Sequence, residues 1–150
     1  MRKKYFLAAF LPVLFLFCSC SRDAQTALKD GYYTAEQAFY DETGWKYFLT
    51  IYVHNNRIVT VEYNAKNSNG LLQSWDMAHL REIKAKSGVS PVRQRQKYID
   101  ALVLGQDAAA IALIPESAQV YAVFKPLAEA AMAQAREGRK EPTLVVTHEE

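Results

Sequence analysis

The alternation of apolar and polar positions is sharpest in "WKYFLTIYVHNNRIVTVEY". Tyr47, Leu49, Ile51 and Val53 share one face by the two-residue period of a strand; Phe48, Thr50, Tyr52 and His54 share the other. Asn55 and Asn56 accept positive φ and so make a tight hairpin turn, after which Ile58 to Tyr63 returns as a second strand. Upstream, Asp30-Gly31 marks a turn and opens a β-favouring stretch, "YYTAEQAFYD".

Past the loop "NAKNSNG" the period becomes helical. "LLQSWDMAHLREIKAKSG" predicts a helix closed by Gly88, with Leu72, Trp75, His79 and Ile83 along one stripe. Ser90-Pro91 predicts a cap followed by a first-turn proline, opening a helix that runs through Tyr98, Ile99, Leu102 and Val103 to Gly105. Its Arg93, Arg95 and Lys97 read as a solvated face. "DAAAIALI" reads as a buried strand because it ends in Ile-Ala-Leu-Ile. Leu127, Ala128, Ala131, Met132 and Ala135 then recur at helical spacing up to Gly138. Three starts for this helix stay open: soon after Ser117, near Ala122, or at Pro126 with "AQVYAVF" as a strand. "TLVV" adds an edge strand before a polar tail.

Residues 1–19 stand outside the fold. Arg2, Lys3 and Lys4 precede "YFLAAFLPVLFLF", an apolar run short for a membrane span, and "CSCS" follows. A lipoprotein leader ends just before a cysteine that takes diacylglycerol, with small residues ahead of it. Cys20 follows Ser19, whereas Cys18 follows Phe17, so Cys20 is the lipidation candidate. Phe17, three before it, departs from the usual Leu. An ordinary secretory peptide and an uncleaved anchor are the competing readings. The expected organisation is a leader at 1–19, a tether at 20–29, a domain at 30–138 and a C-terminal strand or tail at 139–150.

Removing the leader changes the charge argument. The whole chain has 18 Lys and Arg against 16 Asp and Glu; losing Arg2, Lys3 and Lys4 leaves 15 against 16, a net of −1. Nothing in that balance argues for nucleic acid as a partner. With Cys20 acylated, the mature chain has neither free thiol nor disulfide, so its core alone must hold it outside the cytoplasm.

Motifs for catalysis are lacking: no glycine-rich phosphate loop, no GxSxG, no nucleophilic cysteine. Asp76 and His79 are a weak metal pair, since positions three apart diverge around a helix, and His54 and His148 lie far away in sequence. Nine of the thirteen aromatic residues after the leader fall between Tyr32 and Tyr63, which suits a pleated sheet and also a ring-stacking surface.

"DGYYTAEQAFYDETGWKYFLTIYVHNNRIVTVEYNAKNSNG", "SWDMAHLR" and "FKPLAEAAMAQA" together resemble the membrane-anchored lipoproteins of the FMN-binding domain family, also described as major membrane immunogens. The resemblance covers roughly Asp30 to Gly138. It implies an α+β domain, an antiparallel sheet with flanking helices, that holds FMN non-covalently and passes electrons to a redox partner protein. It also implies cofactor contacts from Trp75, Asp76, Ser117 and Ala118, and a lipid-anchored location on the cell or outer membrane, facing outside the cytoplasm. The family's flavin motif, Ser/Thr-Gly-Ala-Thr/Ser with a Ser two residues on, falls on Pro115, Glu116, Ser117, Ala118 and Val120, and each position departs from it. Glu116 replaces the glycine that admits a phosphate, and Ala118 replaces the threonine that some relatives use for covalent flavin. There is no Thr anywhere from Val61 to Pro142, so realignment does not supply that threonine either, and the expectation is against covalent flavin. The alternative function is a flavin-less scaffold acting as a surface interaction lipoprotein.

Overall fold

The structure, a computed structural model, describes residues 27–147; the leader, Cys20, most of the tether and His148 lie outside them. The strands are β1 (Gly31–Gln37), β2 (Lys46–His54), β3 (Arg57–Lys66) and β4 (Thr143–Val145), and the helices are α1 (Met77–Ser87), α2 (Pro91–Gly105) and α3 (Ala118–Glu137). One sheet forms in the order β3-β2-β1-β4. The β1–β2 and β2–β3 pairs are antiparallel, and β4 joins β1 in parallel, so the sheet is mixed at that edge. The α+β class is as expected.

The hairpin follows from its two asparagines, which take φ of 51° and 59° at Asn55 and Asn56. One side of β2 points inward: Leu49, Ile51 and Val53 have no exposed surface. α3 lies across them and buries Phe124, Leu127, Ala128, Ala131 and Ala135 at helical spacing. Phe124 sets its edge against the Tyr63 ring, centroids 5.1 Å apart, and packs beside Tyr98 of α2 at 5.7 Å. The opposite sheet face carries Tyr32 stacked on Tyr52 at 4.6 Å, a Thr34–Thr50 hydroxyl bond of 2.8 Å, and Glu36 between Lys46 and Lys66 at 3.1 and 2.8 Å.

Several local expectations need correction. The helix expected from Leu72 begins only at Met77; residues Gln73–Trp75 form a 3-10 turn instead. Asp76 caps the true start by accepting the His79 N–H at 3.0 Å, which removes Leu72 and Trp75 from the stripe. Trp75 is 69% exposed. The strand expected in "DAAAIALI" is absent. Ala108 and Ile111 dip under α3 without forming a ladder, because Asp107 accepts the Ala109 N–H and the Ala108 N–H turns to the Met132 sulfur. Among the open starts for α3, the early one holds: the helix begins at Ala118 and contains Pro126. Pro126 forgoes the bond to the Ala122 carbonyl, and Ala122 is exposed, so that carbonyl is not left in the core.

β3 is a sheet edge whose first inward residue is closed by a side chain. Gln106 accepts the Ile58 N–H at 2.7 Å and donates to the Ile58 carbonyl at 3.0 Å, standing in for a neighbouring strand. It does so from φ 57°, a left-handed conformation. Gln106→Ala therefore removes both bonds and keeps the unfavourable backbone. The expected loss is about 1–3 kcal/mol in urea denaturation. Gln106→Gly should cost less than the alanine variant, because glycine accepts that φ.

Glu36 supplies a pH test. Burial pushes its carboxyl up, but hydrogen bonds from Lys66 and Lys46 and their charge prevail and hold it below its ordinary 4.5. A depressed carboxylate contributes stability above its unfolded pKa and loses it as pH falls through the folded value. Glu36→Gln should therefore be less stable than the parent at neutral pH, with the gap closing below pH 4.5; a gap that stays constant through acid unfolding would exclude the linkage.

Candidate functional site

The two segments singled out in the sequence, Trp75-Asp76 and Ser117-Ala118, are joined through the first turns of α2. Arg95 Nη1 donates to Gln73 Oε1 at 3.1 Å, just before Trp75. Gln94 donates to the Glu116 carbonyl at 2.6 Å, and the Lys97 ammonium meets the Glu116 carboxylate at 2.9 Å, just before Ser117. Neighbouring residues of one helix thus serve both places.

Around Gln73 the side chains form a half-buried polar cluster. Its amide nitrogen donates to the Tyr47 hydroxyl at 3.2 Å and lies 3.5 Å from His79 Nε2. His79 in turn faces the Trp45 ring, centroids 5.6 Å apart. Asn64 braces the adjoining turn through Ser74, donating to its hydroxyl at 2.8 Å. Arg95 is the surprise. Expected on a solvated face, it is only 7% exposed, and no carboxylate pairs with it among the described residues. Burial lowers its pKa, while Tyr47 and Tyr63 oppose that shift. The same burial raises the Tyr63 phenol well above its ordinary value; Tyr47 adds to this and Arg95 counteracts it. Arg95, Tyr98 and Leu102 are the buried residues of α2, spaced i, i+3 and i+7. That spacing was visible in the sequence and places Arg95 on the inward stripe; its charge argued the other way.

Asp76 spends its carboxylate on the α1 cap, so it is committed to structure rather than to an open site. Among the described residues no three His, Cys, Asp or Glu side chains converge as metal ligands.

The corner at 114–118 is a 3-10 turn, Pro115–Ser117, running directly into α3. Tyr98 laces it from below: its hydroxyl accepts the Ile114 N–H at 3.1 Å and donates to the Ser117 carbonyl at 3.3 Å. No side chain caps the first amides of α3. Ser117, the residue placed to do so, is 2% exposed, and its Oγ has no hydrogen-bond partner among the described residues. The Glu116 carboxyl is held below its ordinary value chiefly by the Lys97 hydrogen bond. Lys97 lies 19 positions from Glu116 in the chain and reaches it from another helix. Glu116 and Lys97 thus form a half-exposed ion pair that ties this corner to α2.

Ser117→Ala follows directly. A serine at a helix start normally stabilises, but this hydroxyl is buried without a partner and makes no cap. The alanine variant should be as stable as the parent or gain up to about 1 kcal/mol. A loss of that size would mean that Ser117 caps α3 in solution.

No family model matches the chain. The chain is 29% identical over 141 residues to the protein named 15 kDa lipoprotein of Treponema pallidum (strain Nichols), covering 94% of this chain and 96% of that one. The crystal structure of the CPE2226 protein from Clostridium perfringens superposes with a TM-score of 0.73 at 32% identity, over 81% of this chain and 99% of that one. A solution structure from Clostridium thermocellum gives a TM-score of 0.53 at 26% identity, over 82% and 99%.

Proposed function

We propose that this chain, which belongs to the same family as the CPE2226 protein of Clostridium perfringens, is a lipid-anchored extracytoplasmic domain that works by surface contact. The observation that carries the reading is the Glu116–Lys97 pair at 2.9 Å, with Gln94 on the Glu116 carbonyl. A flavin mononucleotide would bring two phosphate charges to that carboxylate, and its backbone approach is blocked by the side chain where a glycine would stand open. Ala118 offers no hydroxyl for a covalent link. The scaffold is retained and its anion grip is filled from within.

The anchor is supported by the basic start, the short apolar run and Cys20 after Ser19. The Treponema relative, itself named a lipoprotein, aligns over 96% of its own length. Among the described residues no helix is long and apolar enough to cross a membrane. Contact residues lie at the end of the sheet where β1 finishes and β2 begins. Phe39 is 72% exposed there, Tyr40 is also exposed, and Trp75 stands beside the Lys66–Leu72 bridge at the end of β3. Aromatic side chains of this kind anchor protein interfaces.

Two measurements on protein purified from its native membrane test the reading. Mass spectrometry should find acyl lipid on Cys20, and Cys20→Ser should release the chain from the membrane. The purified chain should be colourless and should leave FMN fluorescence unquenched up to millimolar protein. A yellow preparation, or saturable quenching well below that range, would refute the closed corner.

A further inference from the structure

We infer that the end of the domain where the tether enters is a docking surface for anionic phospholipid headgroups. The inference rests on the lipid-anchor reading, since the anchor decides which end faces the bilayer. The entry point is bolted in place. The Leu28 N–H donates to Asn56 Oδ1 at the hairpin tip at 2.6 Å, and the Lys29 N–H donates to the Ala135 carbonyl at the end of α3 at 2.9 Å. From Cys20 to Ala27 only six residues intervene, and the seven steps between them span at most about 25 Å when fully extended. That end of the sheet cannot stray far from the headgroups.

Basic side chains collect there from four separate parts of the chain. Lys29 adjoins the tether, Arg57 follows the hairpin tip, Arg136 ends α3, and Arg139 and Lys140 follow it; all five residues are exposed. They are gathered by contact and not by sequence: Lys29 Nζ donates to the Glu137 carbonyl at 2.9 Å, and Lys140 Nζ to the Asp30 carbonyl at 3.1 Å. The acids nearby are Asp30, Glu137 and Glu141. Asp30 is committed to the hairpin: the Asn55 N–H leads in holding its carboxyl below the usual value, and His54 lies 3.1 Å from it. Glu137 pairs with Arg139 at 3.0 Å. With Asp107, which follows the Gln106 bonded to Ile58 beside Arg57, five cations face four acids and leave this end net positive by one, at the point where the tether joins the domain. Clusters of four or more basic residues next to a membrane anchor bind acidic headgroups, and a short tether raises their effective concentration at the surface.

Lys29 and Lys140 serve the fold, so the test uses the other three. The mature chain from residue 20, with Cys20→Ser, is sedimented with vesicles of phosphatidylglycerol mixed into phosphatidylcholine and with phosphatidylcholine alone. Binding should require the anionic lipid and fall as salt rises. Arg57→Glu, Arg136→Glu and Arg139→Glu combined should weaken it at least about tenfold. Arg81→Glu with Arg93→Glu, exposed positions on α1 and α2, should change it by less than about twofold. Equal binding to both vesicle types, no binding to either, or indifference to the triple reversal overturns the inference while leaving a lipidated Cys20 intact. Absence of lipid on Cys20 in native material instead overturns the anchor reading, and the orientation falls with it.

Discussion

The fold depends on one burial event: a single sheet face closed by α3. Leu49, Ile51, Val53, Tyr33 and Ala35 present that face, and Phe124, Leu127, Ala128 and Ala131 cover it, all without exposed surface. Each large apolar side chain removed from water in this way contributes about 1.5–3 kcal/mol, and the described residues contain no cysteine to assist. The alanines matter as much as the large residues. They let the helix axis lie close to the strands, so that Phe124 reaches Tyr63 and Tyr98 at once. Everything with chemical interest sits at the two ends of this sandwich, because its middle is closed.

How much of this could be read from the chain alone varied with the range of the interaction. The hairpin was legible residue by residue, since alternation and the two asparagines are local signals. α2 was legible from Ser90-Pro91 to Gly105 for the same reason. The α1 start was misplaced because a helical stripe ignores caps: Asp76 reaching the His79 N–H ends the register that Trp75 appeared to share. The segment before Pro115 was misjudged because apolar runs state burial without stating conformation, and Ile111 is buried in an irregular loop. The pairing of Lys97 was beyond local reasoning, and the inward spacing of Arg95 was outweighed by its charge. One pairs with a carboxylate from a distant turn, and the other is buried against two phenols that converge only after folding.

Arg95 shows what such convergence costs. A guanidinium this enclosed loses hydration worth several kcal/mol, and a single amide bond to Gln73 returns only part of it. Burial lowers the Arg95 pKa, and the neighbouring Tyr47 and Tyr63 oppose that shift without cancelling it. The arrangement fixes where α2 sits relative to the turn before α1, and so it fixes Lys97 beneath Glu116. A polar group that is expensive to bury is therefore tied, through α2, to the geometry of the corner at 114–118.

The two ends of α3 are treated differently by the chain. A long helix carries partial positive charge at its start and partial negative charge at its finish. At the finish, Lys29 donates to the Glu137 carbonyl, and Arg136 and Arg139 lie close by, all of favourable sign. At the start, uncapped amides ask for an anion, and Glu116 lies one residue before the Ser117 N-cap. The Glu116 carboxylate is not bonded to those amides: its partner is the Lys97 ammonium at 2.9 Å, so the start of α3 keeps its first amides without a side-chain cap, beside an ion pair that ties the turn before it to α2.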